Sequence, residues 1–347
     1  MGKLKVGIIG AGGIAQSRHL PALDKLSEKV AIQAVHDLNG KKAQLVAAQY
    51  NIPHVTGDYR DMLTDVDAVF ICTPNKFHSE IAVAALNQGV HVFCEKPMAI
   101  SEAACQEMLQ AAKASGKILS IGYHYRFMKE SQAAKRVIEA GDIGKPLVAR
   151  VQALRRRKVP GWGVFTNKAL QGGGCLIDFG CHSIDLAMWL LGNPKPVHII
   201  GKTYNELSKT PNQVNIWGKI DHTAFDVEDH ATGYVLFDNG CSLLLEASWA
   251  ANIEEDIESI SLSGVDGGVN VFPFQVNQSK HGMLLNSEAN WLPGNSDPGL
   301  RQAENFVNSC LGLEEPVVKP EEAIQVSQII EMIYKSSEQG KSLLINN

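Results

Sequence analysis

The chain has no CxxC pair, no cysteines and histidines alternating at zinc spacing, and no apolar run long enough to cross a bilayer. Its seven cysteines, at 72, 94, 105, 175, 181, 241 and 310, are odd in number, and several sit inside apolar runs such as AVFICT and VHVFCEK. Free cysteine in such runs behaves as a small hydrophobe. The pattern argues against a disulfide framework and against a metal site, and it predicts reduced thiols in a cytoplasm. A basic excess is also lacking: 32 Lys and Arg stand against 37 Asp and Glu, a formal net charge of −5. Phosphate binding needs a basic surface, so nucleic acid is not an expected partner. The opening MGKLKVGIIGAGG enters a strand at once and lacks the apolar stretch of a signal peptide. A cytoplasmic protein with no membrane partner is expected. What is present is ordinary globular composition, 45% hydrophobic and 20% charged, and the 347 residues favour two domains.

The first 120 residues alternate short apolar runs with helical patterns: LKVGIIG, a helix near 14–26, AIQAVHD, a helix near 39–50, DAVFICT, a helix near 78–88, VHVFCEK, a helix near 101–115, then ILSIGY. Such alternation builds a parallel sheet covered on both faces, an α/β doubly wound Rossmann domain expected over residues 1–125. From 126 to 347 the expectation is an α+β domain. One or two helices lead into it, followed by extended runs over about 197–275 that form a large, mostly antiparallel open sheet. The turn FDNG (Phe237 to Gly240) joins two of these runs. Helices from about 300 are placed to pack back towards the Rossmann domain.

Between the first strand and helix, VGIIGAGGIAQ supplies GxGxxA, with Gly10, Gly12, Gly13, Ile14 and Ala15 forming the turn. Glycines there allow close backbone approach, and the helix N-terminus meets a pyrophosphate. Asp37, ending the second strand 22 residues beyond Ala15, accepts ribose hydroxyls and repels a 2′-phosphate, so NAD is favoured. Lys41 and Lys42 keep NADP open. Ligands in such sheets bind beyond the strands' carboxyl ends, which here are Thr73-Pro74-Asn75 with His78, and Glu95-Lys96-Pro97. Further on, QGGGCLIDFGCHSIDLAMWLLGN reads as a buried helix that nevertheless carries Asp178, His182 and Asp185. At 100° per residue these fall within about 60° of one another. Asp178 is four residues from His182, close enough to hold its ring. Asp185 reads as structural, and Gly172 to Gly174 are expected to let the backbone pass close to cofactor and substrate.

The ordered set GxGxxA, TPNxxH, EKP and GGGxLxDxGxHxxDLxxWLLG, with FDVEDHATGYVLFDNG and Tyr334-Lys-Ser-Ser337 further on, resembles the glucose–fructose oxidoreductase / inositol dehydrogenase / MocA family almost end to end. The resemblance implies a Rossmann domain followed by an α/β domain whose open sheet forms homodimer or homotetramer contacts. It also implies nicotinamide-dependent oxidation or reduction of a sugar, cyclic polyol or related carbohydrate. By position, Lys96 is the active-site lysine, and Asp178 and His182 are the acid/base pair. Glu95 and Pro97 shape the nicotinamide side, with the Lys-Pro bond often cis in similar proteins. Tyr123 and Arg126 of GYHYRF face substrate, although His124 stands where relatives commonly have asparagine.

Oxidising an alcohol requires a hydride acceptor, which the dinucleotide supplies, and a base for the proton, which the protein must supply. Imidazole titrates near neutrality, so His182 is the expected base, with the Lys96 cation polarising the substrate oxygen or sharing the proton. Between 155 and 170, RRRKVPGWGVFTNKAL sets Trp162 and Phe165 among glycines, which suits a carbohydrate pocket. Trp162, Thr166 and Asn167 are the candidate contacts. The upstream arginines either bind a phosphate or carboxylate or lie in solvent. Two other functions compete: a non-catalytic dinucleotide-binding sensor, and a glycoside-cleaving enzyme that oxidises its substrate only transiently. The sensor has no need of Lys96, Asp178 and His182 together.

Overall fold

A computed structural model of the chain describes residues 2–345. The chain divides into two compact units. The first runs to Phe127 and takes back Asp297–Ile324; the second comprises Met128–Ser296 and the chain from Gln325.

The first unit holds six parallel strands: β1 (Leu4–Ile9), β2 (Val30–His36), β3 (His54–Val55), β4 (Ala68–Ile71), β5 (His91–Cys94) and β6 (Leu119–Ile121). Their order, β3-β2-β1-β4-β5-β6, reverses between β1 and β4, which is the switch point where such sheets bind ligands. β4 is apolar and buried throughout, and β1 is buried except at Lys5, as expected of strands in a parallel sheet covered on both faces. Local signals close the helices. Asn39 accepts the Lys42 N–H before the helix Gly40–Tyr50, and Ser101 accepts that of Ala104 before the helix Glu102–Ser115, which ends on Gly116 at φ +65°. The later helix Pro298–Cys310 belongs to this unit and brings Phe306 edge-on to the stacked Phe70 and Phe93, with ring centroids 5.2 and 5.6 Å away. One departure concerns the first helix, whose opening residues Ala15–His19 form a π turn before regular α-helix resumes at Leu20. Wider turns of this kind occur often at functional sites.

The second unit is built on nine strands: β7 (Pro146–Leu154), β8 (Pro196–Tyr204), β9 (His230–Phe237), β10 (Ser242–Ser248), β11 (Ile257–Gly264), β12 (Gly267–Asn270), β13 (Gln275–Lys280), β14 (Met283–Glu288) and β15 (Leu343–Leu344). The order is β14-β13-β12-β11-β7-β10-β9-β8-β15, antiparallel except for the parallel β7–β10 pair. The sheet is therefore wider than expected and is mixed at its centre. β7 alternates buried Ala149, Val151 and Ala153 with exposed residues, but its small inward side chains and its Arg and Gln hide that period. FDNG does join β9 to β10, with Gly240 at φ +83°. The helix Pro320–Gln339 begins in the first unit and continues into the second, where Ile333 packs onto Gly201 and Gly233 and Ser336 and Ser337 accept the Gly201 and Thr203 N–H groups. The seven cysteines are free, and six are buried. No helix among the described residues is long and apolar enough to cross a membrane.

Candidate active site

The glycine turn of the first unit is stereochemically demanding. Gly10 sits at φ +94°, and a β-carbon there would lie 2.7 Å from the Cys72 carbonyl carbon and oxygen. Only glycine tolerates both conditions. By contrast, a β-carbon on Gly12 or Gly13 would meet nothing within 4 Å, so the front of the loop is open. Asp37 anchors the turn: its Oδ2 accepts the Ala11 N–H at 2.9 Å and the Lys42 ammonium at 3.3 Å, while Oδ1 accepts the Asn39 N–H. Beside it, the Thr73 hydroxyl is buried with no hydrogen-bond partner among the described residues. An open glycine loop, an acid at the second strand's end and an orphaned hydroxyl at the fourth fit a nicotinamide dinucleotide. Lys42, one of the two lysines that keep NADP open, is paired with the acid expected to select NAD.

His78, expected at the cofactor, is fully buried, with Nδ1 2.8 Å from Pro97 O and Nε2 3.0 Å from Thr73 O. Its place is a brace between the ends of β4 and β5, and burial draws its pKa down. Glu95 is buried too, its Oε1 2.7 Å from His19 Nε2 and its Oε2 accepting the Lys96 N–H. Burial alone would raise its pKa. The His19 hydrogen bond, with the charges of His19, Arg18 and Lys96, outweighs burial and holds it at about 2. His19 leaves the π turn and lies edge-on to Phe93. Glu95 thus ties the cofactor helix to the strand end carrying Lys96, and the Lys96–Pro97 bond is cis.

This pair predicts a pH signature. Glu95 stabilises the fold fully above its ordinary value of 4.5, and that contribution is lost as pH falls to about 2. The shift corresponds to about 3 kcal/mol. Thermal melts of the native protein and His19→Ala should therefore differ by a gap that is fully present above about pH 4.5 and narrows as pH falls towards 2, the His19 hydrogen bond and charge supplying part of the shift. A gap independent of pH would refute the pairing.

The arginine of GYHYRF is held inside the protein. Arg126 is fully buried, its guanidinium bound to Val317 O and Glu322, so it fastens this turn to the C-terminal segment of the same unit. Tyr123 is fully buried as well, and His124 lies beside the Arg18 guanidinium, where burial and that charge push its pKa to about 3.

In the second unit, Asp178 lies on a π turn, Leu176–Gly180, that leads into the helix Cys181–Leu190, which carries His182 and Asp185. The 100°-per-residue projection therefore fails before Cys181, because a π turn winds more residues per turn than an α turn. Asp178 is half-buried, and His182 and Asp185 are buried. A residue not foreseen, Glu228, starts this helix. Its carboxylate accepts the N–H groups of Gly174 (2.7 Å) and Leu176 (3.0 Å), its backbone carbonyl accepts that of Cys175 (3.1 Å), and Tyr334 donates to Oε1 (2.9 Å). Burial raises the pKa of both Glu228 and Tyr334. The glycine run is explained by these partners. A β-carbon on Gly174 would overlap Glu228 O, and one on Gly173 would overlap the Tyr334 hydroxyl. The close approach made by Gly173 and Gly174 is thus to this clamp.

The pocket candidates divide. Trp162 is 53% exposed, whereas Asn167 caps the short helix Lys168–Gln171 by accepting the Leu170 N–H, and Thr166 O receives the Asp226 N–H. Three residues of the basic run are engaged by the protein itself. Arg156 binds Glu254 O, Arg157 binds Leu207 O and Asn252, and Lys158 pairs with Asp256.

Aligned end to end, the chain is 35% identical over 340 residues, 97% of its length, to 96% of a D-glucoside 3-dehydrogenase from Escherichia coli K12. The chain belongs to the Gfo/Idh/MocA oxidoreductase family. The profile described as "Oxidoreductase family, NAD-binding Rossmann fold" matches residues 4–123 of this Gfo/Idh/MocA protein, and the family's C-terminal domain matches 131–270. Among solved structures, an aldose-aldose oxidoreductase from Caulobacter crescentus complexed with glycerol is 25% identical, with a TM-score of 0.82 over 99% of this chain and 100% of its own. A levoglucosan dehydrogenase in complex with NADH and levoglucosan shares the fold, with a TM-score of 0.84 over both whole chains at 22% identity. This Gfo/Idh/MocA chain is thus an oxidoreductase with an NAD-binding Rossmann domain.

Proposed function

We propose that the protein transfers hydride between nicotinamide and a ring CH–OH carbon of a sugar or sugar derivative, with Lys96, Asp178 and His182 as its acid–base set. The reading rests above all on the end-to-end similarity to a D-glucoside dehydrogenase. It is supported by a buried imidazole, His182, that follows the half-buried Asp178 by four residues, since burying a titratable ring is costly without a function for it. Bound nicotinamide supplies the hydride chemistry. His182 takes the hydroxyl proton during oxidation and returns it during reduction. Asp178 orients the imidazole and stabilises its charged form. The Lys96 ammonium stabilises the developing alkoxide. Glu228 and Tyr334 hold the first turn of the helix that carries the pair.

The test follows nicotinamide absorbance with NAD and with NADP against free aldoses, glucosides, inositols and sugar phosphates. Reduction of NAD by a neutral sugar or glucoside is the expected result. Binding of NAD with no net reduction by any class would overturn the reading.

A further inference from the structure

Of the four consecutive basic residues Arg155 to Lys158, only Arg155 donates no side-chain hydrogen bond to a protein group among the described residues. Its guanidinium instead lies over two aromatic rings. The Phe179 centroid is 3.9 Å from the guanidinium carbon, and the Trp217 centroid is 4.7 Å from it on the loop between β8 and β9. Trp217 then meets Trp162 at 5.5 Å, and Trp162 meets Phe165 at 6.2 Å. A ladder of flat groups therefore begins at Phe179, the residue following Asp178, and ends on two half-exposed indoles (Trp162 53%, Trp217 38%). A planar, weakly hydrated guanidinium is suited to such stacking, which leaves its in-plane N–H groups directed away from the rings.

The two indoles come from segments more than fifty residues apart, and the chain fixes them together. Ile216 N donates to Arg157 O at 2.8 Å. Asn215 accepts the Val159 N–H at 2.8 Å and donates to Val159 O at 3.0 Å and Gly218 O at 2.9 Å. Gly161 faces the Lys219 carbonyl where a β-carbon would collide. Two large rings held half-exposed beside a cation with unengaged donors offer apolar faces together with hydrogen bonds. A saccharide ring or an aryl group bonded to one presents the complement, an apolar face bordered by oxygens.

We propose that Arg155, Trp162 and Trp217 form a second subsite that takes the aglycone ring of a glycoside whose sugar is presented to Asp178 and His182. The inference rests on the proposed function for the position of the reacting sugar. The subsite itself binds whether or not turnover follows. It makes two-ring glycosides the preferred ligands over free or methylated monosaccharides.

The experiment is calorimetric titration of the NADH-loaded protein with methyl glucosides, phenyl glucosides and glucose disaccharides in both anomeric forms, so that binding is read without turnover. A two-ring ligand should bind at least tenfold more tightly than the methyl glucoside of the same anomer. In Trp217→Ala that ratio should fall towards one, and in Trp217→Phe it should largely recover. Arg155→Met, which keeps a flexible apolar chain but removes the donors, should weaken the disaccharide more than the phenyl glucoside. Equal affinity for one-ring and two-ring ligands, or a ratio unchanged by Trp217→Ala, would overturn the subsite even if a monosaccharide is oxidised. A two-ring preference that collapses in Trp217→Ala would uphold it even if no glycoside reduces NAD, in which case the dehydrogenase reading is the one that fails.

Discussion

Purified His182→Ala protein should bind NAD as the native protein does and turn over its sugar about 10²–10⁴-fold more slowly. The size of the loss follows from what the side chain is asked to do. Hydride can leave carbon only as the hydroxyl proton leaves oxygen, and without a positioned base that proton goes to water. Gly10, Asp37 and the open front of the glycine loop, proposed to hold the cofactor, belong to the other unit, and the substitution touches none of them. Lys96→Met should cost about 10²–10³-fold in kcat, the range for loss of one stabilising group at a developing oxyanion. The pH profile separates the two roles. A base must be unprotonated to act, so the native oxidation rate rises with pH and then levels. In His182→Ala that rise should disappear, while Lys96→Met should retain it at lower amplitude. The check is initial-rate kinetics across pH with the substrate found in the panel, alongside energy transfer from tryptophan to NADH as the binding control. If His182→Ala keeps a tenth or more of native kcat, the proton has another acceptor.

Features that depend on neighbours in sequence were legible from it, and features made by distant partners were not. Gly10, the acid at the end of β2 and the Asn-Gly hairpin each follow from a local rule about backbone angles or strand ends, and each stands where the pattern placed it. The same local view assigned Gly173 and Gly174 to ligand, because the side chain and carbonyl that crowd them belong to a residue 54 and 55 positions away and to a helix near the C-terminus. Arg126 and His78 likewise have buried partners that no local pattern shows. A polar residue in a motif reads as ligand-facing until its buried carbonyl or carboxylate partner is seen. Strand β13 has a single apolar residue, Val276, and β14 bunches its apolar residues at Met283–Leu285, so neither shows a hydrophobic alternation to read. The ladder through Arg155 joins three separated segments and has no signature in any one of them.

Glu228→Ala should be among the most damaging single substitutions in the second unit, and its damage should reach catalysis. The carboxylate serves three donors in a buried setting, and removing it strands the Gly174 and Leu176 N–H groups and the Tyr334 hydroxyl. Each orphaned buried donor costs about 1–3 kcal/mol, so a loss of about 3–5 kcal/mol is expected. That corresponds to a fall in Tm on the order of 6–20 °C for a unit of this size. Gly174→Ala attacks the same clamp from the other side, by driving a β-carbon into Glu228 O. Tyr334→Phe, which removes one hydrogen bond and little volume, should cost only about 1 kcal/mol. The three variants separate stability from positioning when kcat is measured on folded protein well below each Tm. A clamp that merely stabilises would leave kcat and the pH profile unchanged. If the clamp sets where Asp178 and His182 stand, kcat should fall at least tenfold in Gly174→Ala, since misplacement by about 1 Å can cost a hundredfold. The KM for NAD should stay within a factor of two, because the cofactor loop lies in the first unit and shares no residue with the clamp. A native kcat in soluble, folded Gly174→Ala would show that the helix keeps its register when the clamp is disturbed.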